Sequence, residues 1–177
     1  WWHQPLFALD LDRPDELLAI HDQHVWREVK EYSQAQVKAV SLLARAELAG
    51  IAVGSRWEEL GGYLARRGHD HVLPFLDLQY LYGLARSGRG DAAQALFASM
   101  ETHALRQQGA AGVMWQHVSL PAVRGLLAHT AGGWEGAPGG RNRPGAERPA
   151  LERPPACSTT AQSHGHAAVQ HIMYPLA

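Results

Sequence analysis

A single cysteine, Cys157, stands in the 177-residue chain. One thiol excludes an internal disulfide and a cysteine-rich zinc site. Long apolar runs are missing as well. None approaches the roughly 20 residues that a membrane-spanning helix requires. Neither sign of charge dominates: Lys and Arg number 16 and Asp and Glu 17, a formal net of −1 with histidine neutral. That balance provides no electrostatic footprint for nucleic acid or for an anionic membrane. There is no Gly-x-x-x-x-Gly-Lys-Ser/Thr loop to cradle phosphate, no Gly-x-Ser-x-Gly elbow to present a nucleophile, and no His-Glu-x-x-His pair. The chain opens Trp1-Trp2-His3, with neither a methionine nor a signal-peptide pattern. It reads as a cytoplasmic fragment of a longer protein.

What is present is ordinary in bulk. Hydrophobic residues make up 46% and charged residues 19% of the chain, near globular averages, so disorder of the whole is excluded. The averages conceal a break. Residues 1–137 are rich in Ala, Leu, Val and aromatics at helical spacing. In residues 138–177, Pro138, Pro144, Pro149, Pro154 and Pro155 alternate with Gly139, Gly140, Gly145 and several arginines. Proline fixes φ and removes a donor, so this spacing leaves no room for a helix of useful length. Apolar content there is too low to offset the entropy of ordering, and a disordered tail is the expectation.

Four turn signals divide the first part: Asp12-Arg13-Pro14-Asp15, the Gly50 to Gly54 stretch, Ser87-Gly88-Arg89-Gly90 and Ala131-Gly132-Gly133. They recur roughly every 35 to 45 residues, the period of helix-pair repeats. Between them, Val37, Val40, Ala44 and Leu48 share one helical face, as do Leu73, Leu76, Tyr80 and Leu84. Ser55 and Glu58 have the spacing of a capping box, Asp91 stands where an N-cap belongs, and Pro14 suits a first helical turn. The stretch from Val72 to Arg86 is apolar nearly all round, which predicts a helix buried between neighbours with Pro74 in its first turn. The fold class expected is all-α: stacked antiparallel helix hairpins in a tetratricopeptide-like solenoid over residues 1–137, followed by the tail.

Several stretches together carry a family resemblance. They are Trp1-Trp2-His3 leading to Phe7-Ala8-Leu9, and Leu17-Leu18-Ala19-Ile20-His21-Asp22-Gln23-His24. The run from Leu42 through Gly50, Val53 and Gly54 to Arg56-Trp57, and Asp70-His71-Val72-Leu73-Pro74-Phe75-Leu76-Asp77, complete the pattern. On these residues the chain resembles the tetratricopeptide repeat protein 38 family over residues 1–137. The resemblance implies a divergent helical array with no established enzymatic activity and a presumed role in protein–protein contact. Gln79 stands where that family tends to have histidine, and Val118-Ser119-Leu120-Pro121 replaces a Val-Gly-Leu-Pro stretch. The family's further helix after Ala137 is replaced by the Arg/Pro/Gly-rich tail, as a shifted reading frame in GC-rich DNA would produce.

Two histidine clusters are the residues with most chemical potential. His21 and His24, three apart, would share a helical face with Asp22 beside them. His69, Asp70 and His71 form a second group, with Asp77 one to two turns on. Two histidines and a carboxylate are a plausible facial metal set, or an acid–base pair. The competing expectation is that Asp70 caps a helix and the histidines bond across hairpins. That expectation prevails, with no catalytic, cofactor or metal residue assigned. The six tryptophans could line a groove, but at helical spacing they serve better as wedges between helices. The function expected is non-enzymatic: a scaffold holding a protein or peptide in a concave helical groove, with no cofactor, nucleic acid or membrane. The alternative is a metal-dependent or acid–base enzyme using His21, Asp22, His24, His69, Asp70, His71 and Asp77.

Overall fold

The computed structural model describes residues 3–27 and 29–131. Residues 138–177, with Cys157, and Trp1, Trp2 and Trp134 lie outside the described residues. Helices joined by short turns account for the architecture, and no strand occurs among the described residues. Helix α1 (Gln4–Asp10) and α2 (Pro14–Ile20) pack on each other. Proline sits in the first turn of both, where its missing N–H forfeits no helical bond. Helix α2 runs on into a wider π turn (His21–Val25), closed by the Trp26 amide donating to the His21 carbonyl at 2.8 Å. Then come α3 (Ser33–Leu48), α4 (Arg56–Leu64), α5 (Pro74–Arg86) and α6 (Gly90–Arg106). Helix α7 (Gly109–Val113), a second π turn (Met114–Ser119) and α8 (Leu120–Ala131) follow without a break in helical backbone.

Helices α3 and α4 form one hairpin and α5 and α6 the next. Helix α5 also packs against α3, α4 and α8. This central place explains the composition of α5, whose residues from Asp77 to Leu84 are all buried. Leu81 and Leu84 are closed off there, as are Leu42 and Leu43 on α3, Leu60 and Leu64 on α4, Leu96 and Met100 on α6, and Leu126 on α8. At about 1.5–3 kcal/mol for each large apolar side chain removed from water, this layer drives the folding of the hairpins together. Gly83 marks a close approach of α5 to α3 and α4. A Cβ there would lie 2.3 Å from Leu64 Cδ1 and 3.1 Å from Val40 Cγ2, so only glycine lets α5 settle against α3 and α4 at this level.

Polar groups tie the same helices together. Glu47 on α3 accepts from Trp57 Nε1 of α4 at 3.0 Å and from Arg86 of α5 through Nε at 3.0 Å and Nη2 at 2.7 Å. Arg67, in the 3₁₀ turn (Ala65–Arg67) after α4, donates to Gln36 Oε1 at 3.3 Å and to the Glu31 carbonyl, fastening that end to the approach to α3. Trp26 and Trp57 are wedges, edge-on to Tyr63 and Tyr82 with ring centroids 5.4 and 5.9 Å apart.

Several expectations are corrected. Ser55 occupies the N-cap position of α4, but at φ −79° and ψ 8° its hydroxyl makes no capping bond. The Glu58 amide donates instead to the Ser55 carbonyl at 2.9 Å, because the box needs an extended N-cap residue. Helix α6 begins at Gly90, one residue before Asp91, which therefore lies in the first turn and complements the helix dipole. Asp70 is not a cap either: α5 starts after Leu73, and Asp70 instead accepts from Arg67 Nη1 at 3.2 Å. On α3 the expected face is in place, with Val40 and Ala44 in the core and Val37 and Leu48 packed against it, but burial extends to every residue from Ala39 to Ala46. Neighbours on several sides extend the one-sided pattern.

Candidate functional site

The π turn decides the first histidine cluster. Its i→i+5 bonding widens the helix, so residues three apart diverge. His21 turns inward and is 1% exposed, whereas His24 faces solvent. Their expected common face does not form. His21 Nδ1 pairs with Asp22 Oδ1 at 2.9 Å, and Asp22 is held by Arg56 of α4 through Nε at 2.9 Å and Nη2 at 2.7 Å. Arg56 also donates to the Val53 carbonyl at 2.9 Å, so the guanidinium staples the α2 hairpin to the turn before α4. Burial holds the His21 imidazole below its ordinary value, favouring the neutral ring, while the Arg56 hydrogen bonds hold the Asp22 carboxyl down. The His21 Nε2 atom is buried without a hydrogen-bond partner.

The second cluster is more organised. His71 lies in the turn between α4 and α5 with φ at +41°, a left-handed backbone that costs a non-glycine residue about 1–2 kcal/mol. That conformation delivers its ring between two helices. Nδ1 lies 2.9 Å from Asp77 Oδ2 on α5, and Nε2 lies 2.7 Å from the Ser99 hydroxyl on α6. His69 Nδ1 reaches the same hydroxyl at 3.0 Å. Asp77 is fully buried, its second oxygen has no hydrogen-bond partner, and burial pushes its carboxyl above the ordinary range despite His71. The His71 side chain is 8% exposed. His103, one turn beyond Ser99 on α6, stacks at a tilt on His71 with centroids 4.9 Å apart and packs on Trp115 at 4.7 Å. Burial, and then the neighbouring His71, hold the His103 ring below its ordinary value.

Of the residues singled out in the sequence, the structure therefore joins His69, His71 and Asp77 at one hydroxyl and pairs His21 with Asp22. It separates His24 and Asp70 from both groups. Among the described residues, no three His, Cys, Asp or Glu side chains converge as metal ligands. Sequence reasoning passed over Ser99 and His103. Their four-residue spacing on one helix was a legible signal, but nothing local indicated that this face of α6 meets the α4–α5 turn. Arg56 as the partner of Asp22, 34 residues away, was equally hidden.

Two grooves lie on the N-terminal side of the molecule. One, of about 590 Å³, runs between the first π turn and the start of α3, and includes His24, Arg27, Val29, Tyr32 and Lys38 in its walls. The other, of about 270 Å³, lies along α1 and α2, with Phe7, Leu11, Ile20 and again His24. Phe7, Leu11 and Tyr32 are each 60–63% exposed. No helix among the described residues is long and apolar enough to cross a membrane. No protein-family model matches the chain, and no solved structure matches it.

Proposed function

We propose that the chain is part of a tetratricopeptide-like array of stacked helix hairpins, a cytoplasmic, non-enzymatic scaffold that holds a segment of a partner protein. Two features support the array: the succession of hairpins α3/α4 and α5/α6, and the burial of α5 between neighbours, as expected of an inner repeat helix. The observation that carries the binding role is the pair of grooves meeting at His24, with Phe7, Leu11 and Tyr32 exposed along them. A peptide laying an apolar side chain on Tyr32 would cover surface that otherwise stays wet. Among the described residues the walls of the larger groove include Arg27 and Lys38 and no carboxylate, which favours a peptide carrying an acidic residue beside its apolar anchor. A near-neutral net charge gives no support to nucleic acid as the partner.

Selection of random peptides on the immobilised chain tests this. The expected outcome is enrichment of peptides that combine an apolar and an acidic residue. Their binding should weaken by about tenfold or more, roughly 1.4 kcal/mol, in Tyr32→Ala and in Lys38→Glu. Enriched peptides that bind both variants as well as the parent chain would refute the groove, and failure to enrich any peptide would refute the scaffold reading.

A further inference from the structure

The line Asp77–His71–Ser99 has the connectivity of a hydroxyl activated for attack. Protonation roles follow from the partners. The buried carboxylate oxygen accepts from Nδ1–H, which leaves Nε2 as an acceptor for the Ser99 O–H at 2.7 Å. The hydroxyl oxygen in turn accepts from His69 Nδ1–H at 3.0 Å. The three residues come from a turn and two different helices, and His71 reaches its place only through a left-handed backbone. A simple helix-to-helix tie would need neither the strained residue nor a histidine between serine and carboxylate.

We propose that Ser99 is a nucleophile toward small carboxylic esters, with His71 as its general base and Asp77 as a positioning residue. This inference keeps the binding role of the scaffold reading, replaces its non-enzymatic part, and does not rest on the grooves. Ser99 Oγ forms a bond to the carbonyl carbon while its proton passes to His71 Nε2, and the carbonyl oxygen takes up the negative charge. Collapse breaks the bond to the alkoxy oxygen, which leaves as an alcohol with the proton from His71. Water then adds to the acyl-serine, giving its proton to His71, and collapse returns Ser99 and releases the acid. Ester and water become acid and alcohol with no change of oxidation state. Ser99 lies in the interior of α6, whose amides are engaged within the helix. The oxyanion is therefore left to side chains rather than to a backbone pair, and the His69 Nδ1–H, 3.0 Å from Ser99 Oγ, is the donor beside it. Such support is weaker than a preorganised amide pair, so the acyl-serine accumulates and turnover is slow. Val72 and Leu73, directly after His71, are 70% and 54% exposed, which favours an apolar acyl group.

The test is covalent labelling with an alkyl fluorophosphonate, in which Ser99 Oγ displaces fluoride, followed by peptide mapping. A burst with p-nitrophenyl butyrate is read alongside. The chain is expected to carry one label, on Ser99 and not on the exposed Ser55, and to lose it in urea, where the three residues disperse. His71→Gln should slow labelling by about a hundredfold, within the range of general-base contributions. Asp77→Asn should slow it while two-bond nitrogen–proton spectra show the His71 proton moving from Nδ1 to Nε2; a merely structural role would move the proton without slowing the label. Labelling of the folded chain at Ser55 instead of Ser99, no labelling at all, or equal labelling in urea would overturn the proposal. So would a folded His71→Gln variant that labels as fast as the parent.

Discussion

Replacing Gly83 with alanine sets two opposed effects against each other. In an ordinary helix interior the change stabilises by about 1 kcal/mol, because glycine has the greater backbone entropy to lose. Here the added methyl would lie 2.3 Å from Leu64 Cδ1, 3.1 Å from Val40 Cγ2 and 3.7 Å from Trp57 Cζ3. Carbon atoms are at ease near 3.5–4.0 Å, so the tip of Leu64 must retreat by roughly an ångström and a half. Leu64 is completely buried and Trp57 nearly so, which leaves no free volume to receive it. Overpacking of this kind costs about 1–3 kcal/mol, and the net expectation is destabilisation by up to about 2 kcal/mol. Gly62→Ala is the internal control. It lies in α4, its nearest neighbour would be Arg89 Nη2 at 3.5 Å, and the propensity gain of about 1 kcal/mol should appear in full. Urea unfolding followed by far-ultraviolet circular dichroism measures both, read as a shift of midpoint at constant slope. A further arm adds Leu64→Ala. The double variant should be more stable than the sum of its parts by about 1–2 kcal/mol, since the new methyl occupies vacated space. If Gly83→Ala stabilises as much as Gly62→Ala, α5 is not seated against α3 and α4 as described, and the packing argument fails.

Other perturbations address the polar ties. Glu47→Ala strips the acceptor from the buried Trp57 indole and from Arg86, and should cost about 3 kcal/mol, moderated because Arg86 keeps 21% exposure. Glu47→Gln retains an acceptor for the indole and should cost about half as much by the same urea assay; equal losses would show that the indole bond contributes nothing. The pH dependence of stability should reveal His21. Its folded-state value is lowered by burial, so the unfolded chain binds a proton first, near the ordinary value of about 6.5. Stability therefore falls as pH drops from there toward the lower folded-state value, and His21→Gln should flatten that part of the curve. Asp22, held down by Arg56, acts at more acid pH: its contribution is complete above the ordinary carboxylate range and disappears as pH falls through its folded-state value. A parent and a His21→Gln variant with parallel curves between pH 7 and 5 would contradict the buried, neutral ring.

How far the sequence could be read depended on the range of each interaction. The turns at Gly50, Gly54 and Gly88 were legible because they require positive φ, which the chain adopts at all three. The buried α5 was legible from its apolar surround, and Pro74 marked its first turn. Cap bonds were less accessible. Ser55 and Asp70 have the right chemistry, yet local backbone dihedrals and a competing arginine redirected them. The left-handed backbone of His71 and the π turn at His21 had no signal in residue type, because each is imposed by what packs around it.

The sequence by itself determined the all-helical character and the breaks between the hairpins, since helical periodicity, proline and glycine act over a few residues. It also marked His69, His71 and Asp77 as chemically able groups. Tertiary structure alone decided what those groups meet. Ser99 stands 28 residues from His71 and Arg56 stands 34 from Asp22. Such pairs are set by which helix faces are pressed together to bury Leu64, Leu81 and Leu96, and that packing is a property of the whole chain. One face of α6 brought against one turn sets the Ser99 hydroxyl 2.7 Å from the Nε2 of a histidine whose Nδ1 lies 2.9 Å from a buried carboxylate.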